Sequence, residues 1–527
     1  MENKKRIFCR KRKEKVGYRM NKRQAAIKNS TVGLLSQLII LFFQFWTRRI
    51  FVKYLGVELL GISSTFSSIL NTLSLAELGF HSAVVYSLYK PIVENDHERI
   101  NEIVNVLKVI YRSIGIFLIA GGLICCPFLK YVLSGVEISA TVYLIFLIQM
   151  LNSACSYFLA YKRTLFHADR RGYITKELDT GMTILFSLIK IIVVVKTSNY
   201  IAYISLTVLQ TIVSNLFVHM ISRKAYPYLH RTRFNVVIFK EIWNHVKSLF
   251  AGRIASYIYS STDNLVISAV VGTVSVGYLV NYTTIISSIK TLTGSILSPI
   301  SPVIGNMLAE NSDSVNNEKI FRVYTYIRYV IACAVLIPTI VLLQSFVSVW
   351  IGQDYLLPVT IVWLCCFDLY IHLVHSSLCD FINGSGLFKE DKNIEIAGAV
   401  TNLAISIILA YRIGIVGVLI GTIISQTVFW VCRSRLVYKK CFGEVKNGLS
   451  KYWITHIVYI GLFLLVSFLM SIIYQRITID LFVLRFIIGG ICCEAVTMII
   501  HLIVFGKTEE FRQLKSIAGN IVKRKQL

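Results

Sequence analysis

Two stretches of the chain decide how it folds: TRRIFVKYLGVELLGISS at 47–64 and TDNLVISAVVGTVSVGYLVN at 262–281. Each is an apolar run carrying a glycine, four residues, then a second glycine, at Gly56/Gly61 and Gly272/Gly277, and the two pairs are offset by 216 residues. The apolar character is not local to them. Of 527 residues, 55% are hydrophobic and only 16% charged, against about 25% charged in a soluble domain. A water-facing enzyme surface needs more charge than this. A helix that crosses a bilayer needs roughly 20 mostly apolar residues, and fourteen segments qualify, near 31–52, 59–89, 103–128, 139–161, 173–195, 200–221, 236–271, 274–307, 321–350, 357–387, 394–411, 413–432, 453–475 and 479–505. The period-2 alternation of a membrane β-barrel is absent from the sequence.

Charge tests the count. The chain carries 55 Lys+Arg against 28 Asp+Glu, a net +27. With the basic tail 1–28 placed in the cytoplasm, forty of the Lys and Arg residues fall in the tails and in, or within about one turn of, the alternate gaps assigned to that side, and five, Lys53, Lys130, Lys196, Arg412 and Arg476, fall opposite. Basic residues mark cytoplasmic loops, and adding or losing one span would scramble the asymmetry. Both termini are therefore expected to be cytoplasmic. Most of the positive charge is topology, and nucleic-acid binding is a poor reading of it. Ten basic residues are left inside the spans, Arg48, Arg49 and Arg253 among them.

The offset glycine pairs suggest an internal duplication: an N-lobe of six helices over 29–221, a C-lobe of six over 236–438, and two further helices within 450–505, followed by a basic tail at 506–527. Parallel repeats are a transporter plan with the site between the halves. Polar residues at helical spacing mark the faces that would line it. The first span carries Asn29, Gly33, Gln37, Gln44 and Arg48; the seventh carries Arg253, Tyr257, Ser260, Asn264 and Ser268; the eighth carries Asn281, Thr284, Ser288, Thr291 and Ser295. Serine, threonine and amide faces also serve as glue between helices, but an arginine in the membrane is costly and points to function. On the tenth span Asp368, His372, His375, Cys379 and Asn383 share one face. They read as a metal site, as a face able to change protonation or as structural histidines, and the second reading is preferred because no clear fourth ligand stands beside them. Asp263, Asp368, His372 and His375 are the candidates for coupling to an ion, H+ or Na+. No metal or cofactor is expected.

No nucleophile elbow, Walker A loop, zinc-protease motif or dinucleotide loop occurs, and the outward gaps are short, so the chain reads as a non-enzyme. The stretches RRIFVKYLGVELLGI (48–62), LSLAELGFHSAVVYSLYKPI (73–92), STDNLVISAVVGTVSVGYLVNY (261–282), NGSGLFKED (383–391) and IGIVGVLIGTIIS (413–425) resemble the polysaccharide flippases of the multidrug/oligosaccharidyl-lipid/polysaccharide (MOP) exporter superfamily, over roughly residues 22–505. The resemblance implies an all-α polytopic protein of the bacterial inner membrane, with about 14 transmembrane helices as two six-helix lobes in a V plus two C-terminal helices. It implies transport of undecaprenyl-diphosphate-linked oligosaccharide to the outer leaflet for O-antigen or capsule, alongside a polysaccharide polymerase and glycosyltransferases. It also implies a cationic cavity, which Arg48 and Arg49 match by place. With Arg253 they are the candidates for the diphosphate, because guanidinium forks meet phosphate oxygens bidentately. Gln37, Gln44, Tyr257 and Asn264 are the candidates for sugar or headgroup. The competing readings are a cation-coupled multidrug antiporter of the same superfamily, which would want an acidic cavity, and a membrane glycan polymerase or ligase, which would want a large external loop.

Overall fold

The computed structural model describes residues 22–74, 80–230, 232–297, 300–310, 313–443, 445–477, 479 and 481–524. The helices of eight or more residues are α1 Lys22–Leu73, α2 Phe80–Glu94, α3 His97–Cys125, α4 Ala140–Ala168, α5 Gly172–Thr197, α6 Tyr200–Ala225, α7 Val236–Ser261, α8 Thr273–Leu297, α9 Ile300–Glu310, α10 Ser314–Trp350, α11 Val359–Gly384, α12 Phe388–Ile413, α13 Ile415–Cys441, α14 Gly448–Gln475, α15 Phe482–Phe505 and α16 Glu509–Arg524. There is no strand among the described residues. The protein is an all-α, multi-pass membrane protein.

Among the described residues eleven helices are long and apolar enough to cross a membrane, against the fourteen expected. The first expected span and the first half of the second run into one another as α1, whose two halves meet at Gly56. α8 is fully described and falls outside the eleven because its Ser, Thr and Asn residues dilute an otherwise apolar helix. The expected span 236–271 falls partly on side chains outside the described residues.

The chain divides into two compact units, 1–257 and 258–527. In the first, α1 packs on α5, α3 on α4, α4 on α6 and α5 on α6. In the second, the residues just after α7 pack on α12, and α10 on α11, α11 on α13 and α12 on α13 follow the same order. Neighbour relations therefore repeat. So does the backbone at the offset glycines: Gly56 has φ 84 and ψ 168, and Gly272 has φ 129 and ψ 144. Both are positive-φ extended conformations that break a helix and that glycine adopts without a Cβ clash. In the second unit a π-turn, Ile267–Val271, runs straight into Gly272; such turns insert a residue and are frequent at functional sites.

Each unit has its own core. That of the first gathers Val84, Leu107, Leu165, Phe166, Ile242 and Val246. That of the second is richer in aromatics, with Tyr329 stacked on Tyr459 at 4.0 Å and Tyr370 on Phe463 at 4.4 Å. These stacks hold α14, which with α15 packs on α10. Ile124, Tyr411 and Ile503 stand two-thirds or more exposed, as lipid-facing side chains do where no water needs to be satisfied.

Candidate functional site

The Gly56 break bends α1 so that residues on both sides of it face one space. Gln44, Thr47 and Arg48 come from before the break, and Ser63, Ser64 and Ser67 from after it. α5 adds Thr183, Ser187 and Lys190, a stripe at helical spacing, and α6 adds Tyr203 and Gln210. They enclose a cavity of about 360 Å³ within the first unit, with no carboxylate among the described residues of its lining. Two cations enter it. The Lys190 ammonium, on a side chain only 8% exposed, donates to Gln210 Oε1 at 2.9 Å and lies 5.5 Å from the Tyr203 ring centre. Arg48 has a buried Nη1 with no acceptor. The rim is braced by Gln149 Nε2, which donates to Ser63 Oγ at 2.9 Å and Tyr200 Oη at 3.1 Å.

Withdrawing a charge from water costs several kcal/mol per ion unless it is paired. The first unit can pair an arginine when structure requires it. Arg163 meets both oxygens of Asp179 at 2.9 and 2.7 Å and is held further by Ser214 and Asn215. Arg48 and Lys190 have no such carboxylate, so their cavity is electrostatically incomplete and suited to an anion. The neutral hydroxyls and amides around them suit hydroxyl-rich groups.

The expected site residues divide as follows. Arg48 and Gln44 line the cavity. Arg49 is exposed and Gln37, two turns before Gln44, is half-buried; neither lines it. Asn29 serves the corner between α4 and α5, donating to Arg170 O at 2.8 Å and accepting from Tyr173 N at 2.7 Å. The side chains of Arg253 and Tyr257 lie outside the described residues. Lys190 is not among the residues that the sequence pointed to; the available signal is a lone lysine in the apolar run ILFSLIKIIVVV at 184–195.

The second unit treats charge differently. Asp263 Oδ2 accepts from Thr422 Oγ1 at 3.0 Å, and Asp368 Oδ1 accepts from Gln426 Nε2 at 2.5 Å. Thr422 and Gln426 are one turn apart on α13, so the two carboxylates stand side by side. Asn402 Nδ2 donates to Thr422 Oγ1 at 3.1 Å. Asp263 Oδ1 and Asn402 Oδ1 are buried without a donor, which leaves oxygen lone pairs for a hard cation. Asn264, beside Asp263 in the chain, is half-buried. The face of α11 that carries Asp368 lies against α13, for Cys379 Sγ also receives Arg433 Nη1 at 3.4 Å. His375 on that face is 4% exposed, with no partner at its buried Nε2, and His372 O accepts from Ser376 at 2.5 Å. Among the described residues no group of three or more His, Cys, Asp or Glu side chains is placed to hold a metal ion.

Two buried arginines of this unit, Arg328 and Arg433, are neutralised by carboxylates, and sequence reasoning did not single them out. Arg328 meets Asp380 Oδ2 at 2.6 Å, and Tyr324 Oη donates to the same oxygen at 2.7 Å. Arg433 meets Asp391 at 2.6 and 2.7 Å and Glu395 at 3.3 Å.

Fold and site can now be set beside known proteins. Residues 59–360 match the family described as polysaccharide biosynthesis protein. The chain belongs to that family. An uncharacterized membrane protein of Methanocaldococcus jannaschii is 21% identical over 351 residues, which cover 64% of this chain and 66% of that protein, slightly less than two thirds of its length. Among solved structures, the lipid II flippase MurJ in an inward closed conformation is similar at TM-score 0.64, with 16% identity, covering 90% of this chain and 99% of that one. An inward-facing multidrug resistance transporter of the MATE family, of the MOP superfamily, is similar at TM-score 0.59 with 15% identity, covering 79% and 99%. At these identities the likeness is one of fold: the chain shares the fold of these two proteins.

Proposed function

We propose that this protein is a flippase that carries undecaprenyl-diphosphate-linked oligosaccharide from the cytoplasmic to the outer leaflet of a bacterial inner membrane, for surface polysaccharide such as O-antigen or capsule. The observation that carries the reading is the pairing of Arg48 and Lys190 in one cavity without a carboxylate. A lipid diphosphate brings about two negative charges into a place where each is expensive unless matched. The arginine fork meets phosphate oxygens bidentately and the lysine adds a point charge. Ser63, Ser67, Thr183 and Gln44 offer sugars the neutral partners they need. The lipid tail need not enter, since it can stay in the bilayer beside a lateral opening.

In this reading the units alternate in their access to the two faces of the membrane, and Asp263 and Asp368 are the place where a coupling ion, H+ or Na+, is taken up and released. An inside-negative potential assists the outward step by up to about 2.3 kcal/mol per charge per 100 mV. An acidic drug-binding cavity, as the antiporter reading wants, is not what the lining of the first unit offers.

The test is complementation. A strain lacking its own flippase accumulates inward-facing lipid-linked repeat units, and the wild-type chain restores surface polysaccharide. Arg48→Ala and Lys190→Ala, expressed at wild-type level, should leave the repeat units inside. Restoration by the double variant would refute the cavity assignment, and resistance to cationic dyes without any glycan phenotype would favour the antiporter.

A further inference from the structure

A second cavity of about 410 Å³ lies in the first unit, away from the one just described, and shares none of its lining. It is built where α3, α4 and α6 end on the side rich in basic loops. α3 presents Asn101, Asn105 and Lys108 at helical spacing, α4 presents Lys162, and α6 presents His219 and Arg223, one turn apart. The loop after α6 closes it and is tied in place by α3. Asn101 Nδ2 donates to Tyr228 O at 3.0 Å, Asn101 Oδ1 accepts from His230 N at 2.9 Å, and Asn105 Nδ2 donates to both oxygens of Thr232. The wall is therefore preformed.

Its charge is one-sided. Among the described residues three cations, Lys108, Lys162 and Arg223, line it with two histidines and no carboxylate. The carboxylates nearby are engaged elsewhere: Glu102 with Arg99, and Asp169 with Arg171 and Tyr226. Lys162 is the decisive residue. It follows directly on the apolar segment 139–161 and lies in the last two turns of its helix, it is only 7% exposed, and no acceptor among the described residues takes a hydrogen bond from its ammonium. Burial, and then the charges of Arg223 and Lys108, hold that ammonium below the usual lysine range. A buried ammonium beside two further cations is costly without an anion; a bound anion removes that cost at Lys162.

We propose that this pocket is a second anion site, for a phosphate-bearing group, at the cytoplasmic end of the first unit and separate from the transport cavity. Lys162 makes the central contact. Arg223 supplies a fork for two phosphate oxygens, Lys108 a second point charge, and His219 and His230 neutral donors. The phosphate can come from an anionic lipid headgroup of the inner leaflet or from a soluble phosphate or diphosphate, and the chemistry of recognition is the same. The proposal does not depend on what the transport cavity carries.

The experiment uses the full chain in nanodiscs of zwitterionic lipid. In one arm, inorganic diphosphate is titrated calorimetrically. In the other, phosphatidylglycerol is added to the discs and retained lipid is counted by native mass spectrometry. Every protein carries Arg48→Gln and Lys190→Gln, which removes the first cavity's own claim on diphosphate, and each arm compares this background with the same background bearing Lys162→Met or the Lys108→Gln/Arg223→Gln pair. The proposal expects either diphosphate affinity or phosphatidylglycerol retention to fall at least roughly tenfold with Lys162→Met and with the pair. The arm that responds identifies the source of the phosphate. If Lys162→Met does not fold, the pair decides, since Arg223 is exposed and Lys108 only partly buried. No diphosphate binding by the background protein together with unchanged lipid retention on adding the pair overturns the proposal, and so does diphosphate affinity that the pair leaves unchanged while lipid retention is also unchanged.

Discussion

The two units share an order of helix packing and a glycine break, yet they treat buried charge in opposite ways. In the second, Arg328 and Arg433 each meet carboxylates at 2.6 Å, and Asp263 and Asp368 are held by Thr422 and Gln426. In the first, Arg163 is paired with Asp179, but Arg48 and Lys190 face an open cavity with no carboxylate. The comparison teaches which cations are there for the fold and which for the ligand. A cation kept for the fold should cost stability when removed. A cation kept for a ligand should cost activity and leave stability unchanged or improved.

The largest effect is expected in the second unit. Arg433→Met strands Asp391 and Glu395 around a buried position, and breaking such a pair from one side costs about 3–5 kcal/mol. Thermal melting in detergent should show a drop large enough to reduce folded yield; an unchanged melting curve would end the contrast drawn above. Next comes Arg48→Met with Lys190→Met in the first unit. Melting should be equal to wild type or higher, because an uncompensated charge has been removed, while transport falls roughly 10–100-fold for each cation removed. A loss of stability matching that of Arg433→Met would mean that these cations are structural. Thr422→Ala is smaller. It deletes the hydroxyl that donates to Asp263 and accepts from Asn402, at about 1 kcal/mol, and transport measured against Na+ and H+ gradients should lose its ion dependence before it loses its substrate.

The smallest effect is at the surface, on α16. Lys319 forms an ion pair with Glu509, and that hydrogen bond holds the Glu509 carboxyl below its usual range. A carboxyl lowered in the folded state adds stability above its unfolded value, near about 4.3, and loses that contribution as pH falls through the lower folded value. Melting of Glu509→Gln should therefore differ slightly from wild type near neutral pH and converge with it in acid. The exposure of the pair keeps the difference small and salt-sensitive.

Much of this was legible from residues one at a time. The apolar runs gave the helical class, the two glycine pairs marked two positive-φ breaks, and Gln44 and Arg48 at a spacing of four lie on one wall of the cavity. Lys190 was not legible as part of that wall. A helical period shows that Thr183, Ser187 and Lys190 share a face, but not that α5 is the neighbour of α1. The same gap hid Asp179 for Arg163 and Asp380 for Arg328, partners 16 and 52 residues apart in the chain. Sequence spacing reports the direction of a side chain, and only packing reports what stands opposite. On α11 the stripe from Asp368 to Cys379 was visible as a polar face, while its neighbour, α13, was not.

The break at Gly56 has one more consequence. A Cβ built there would meet nothing within 4 Å, so the demand for glycine is one of handedness and not of room. The mirror image of φ 84, ψ 168 lies in the ordinary extended region for an L-residue. It follows that L-alanine at position 56 should lower the melting temperature through its backbone alone, while a D-alanine introduced there by chemical ligation escapes that backbone strain. At this corner the fold rejects an L side chain by handedness, with nothing in the way of its methyl.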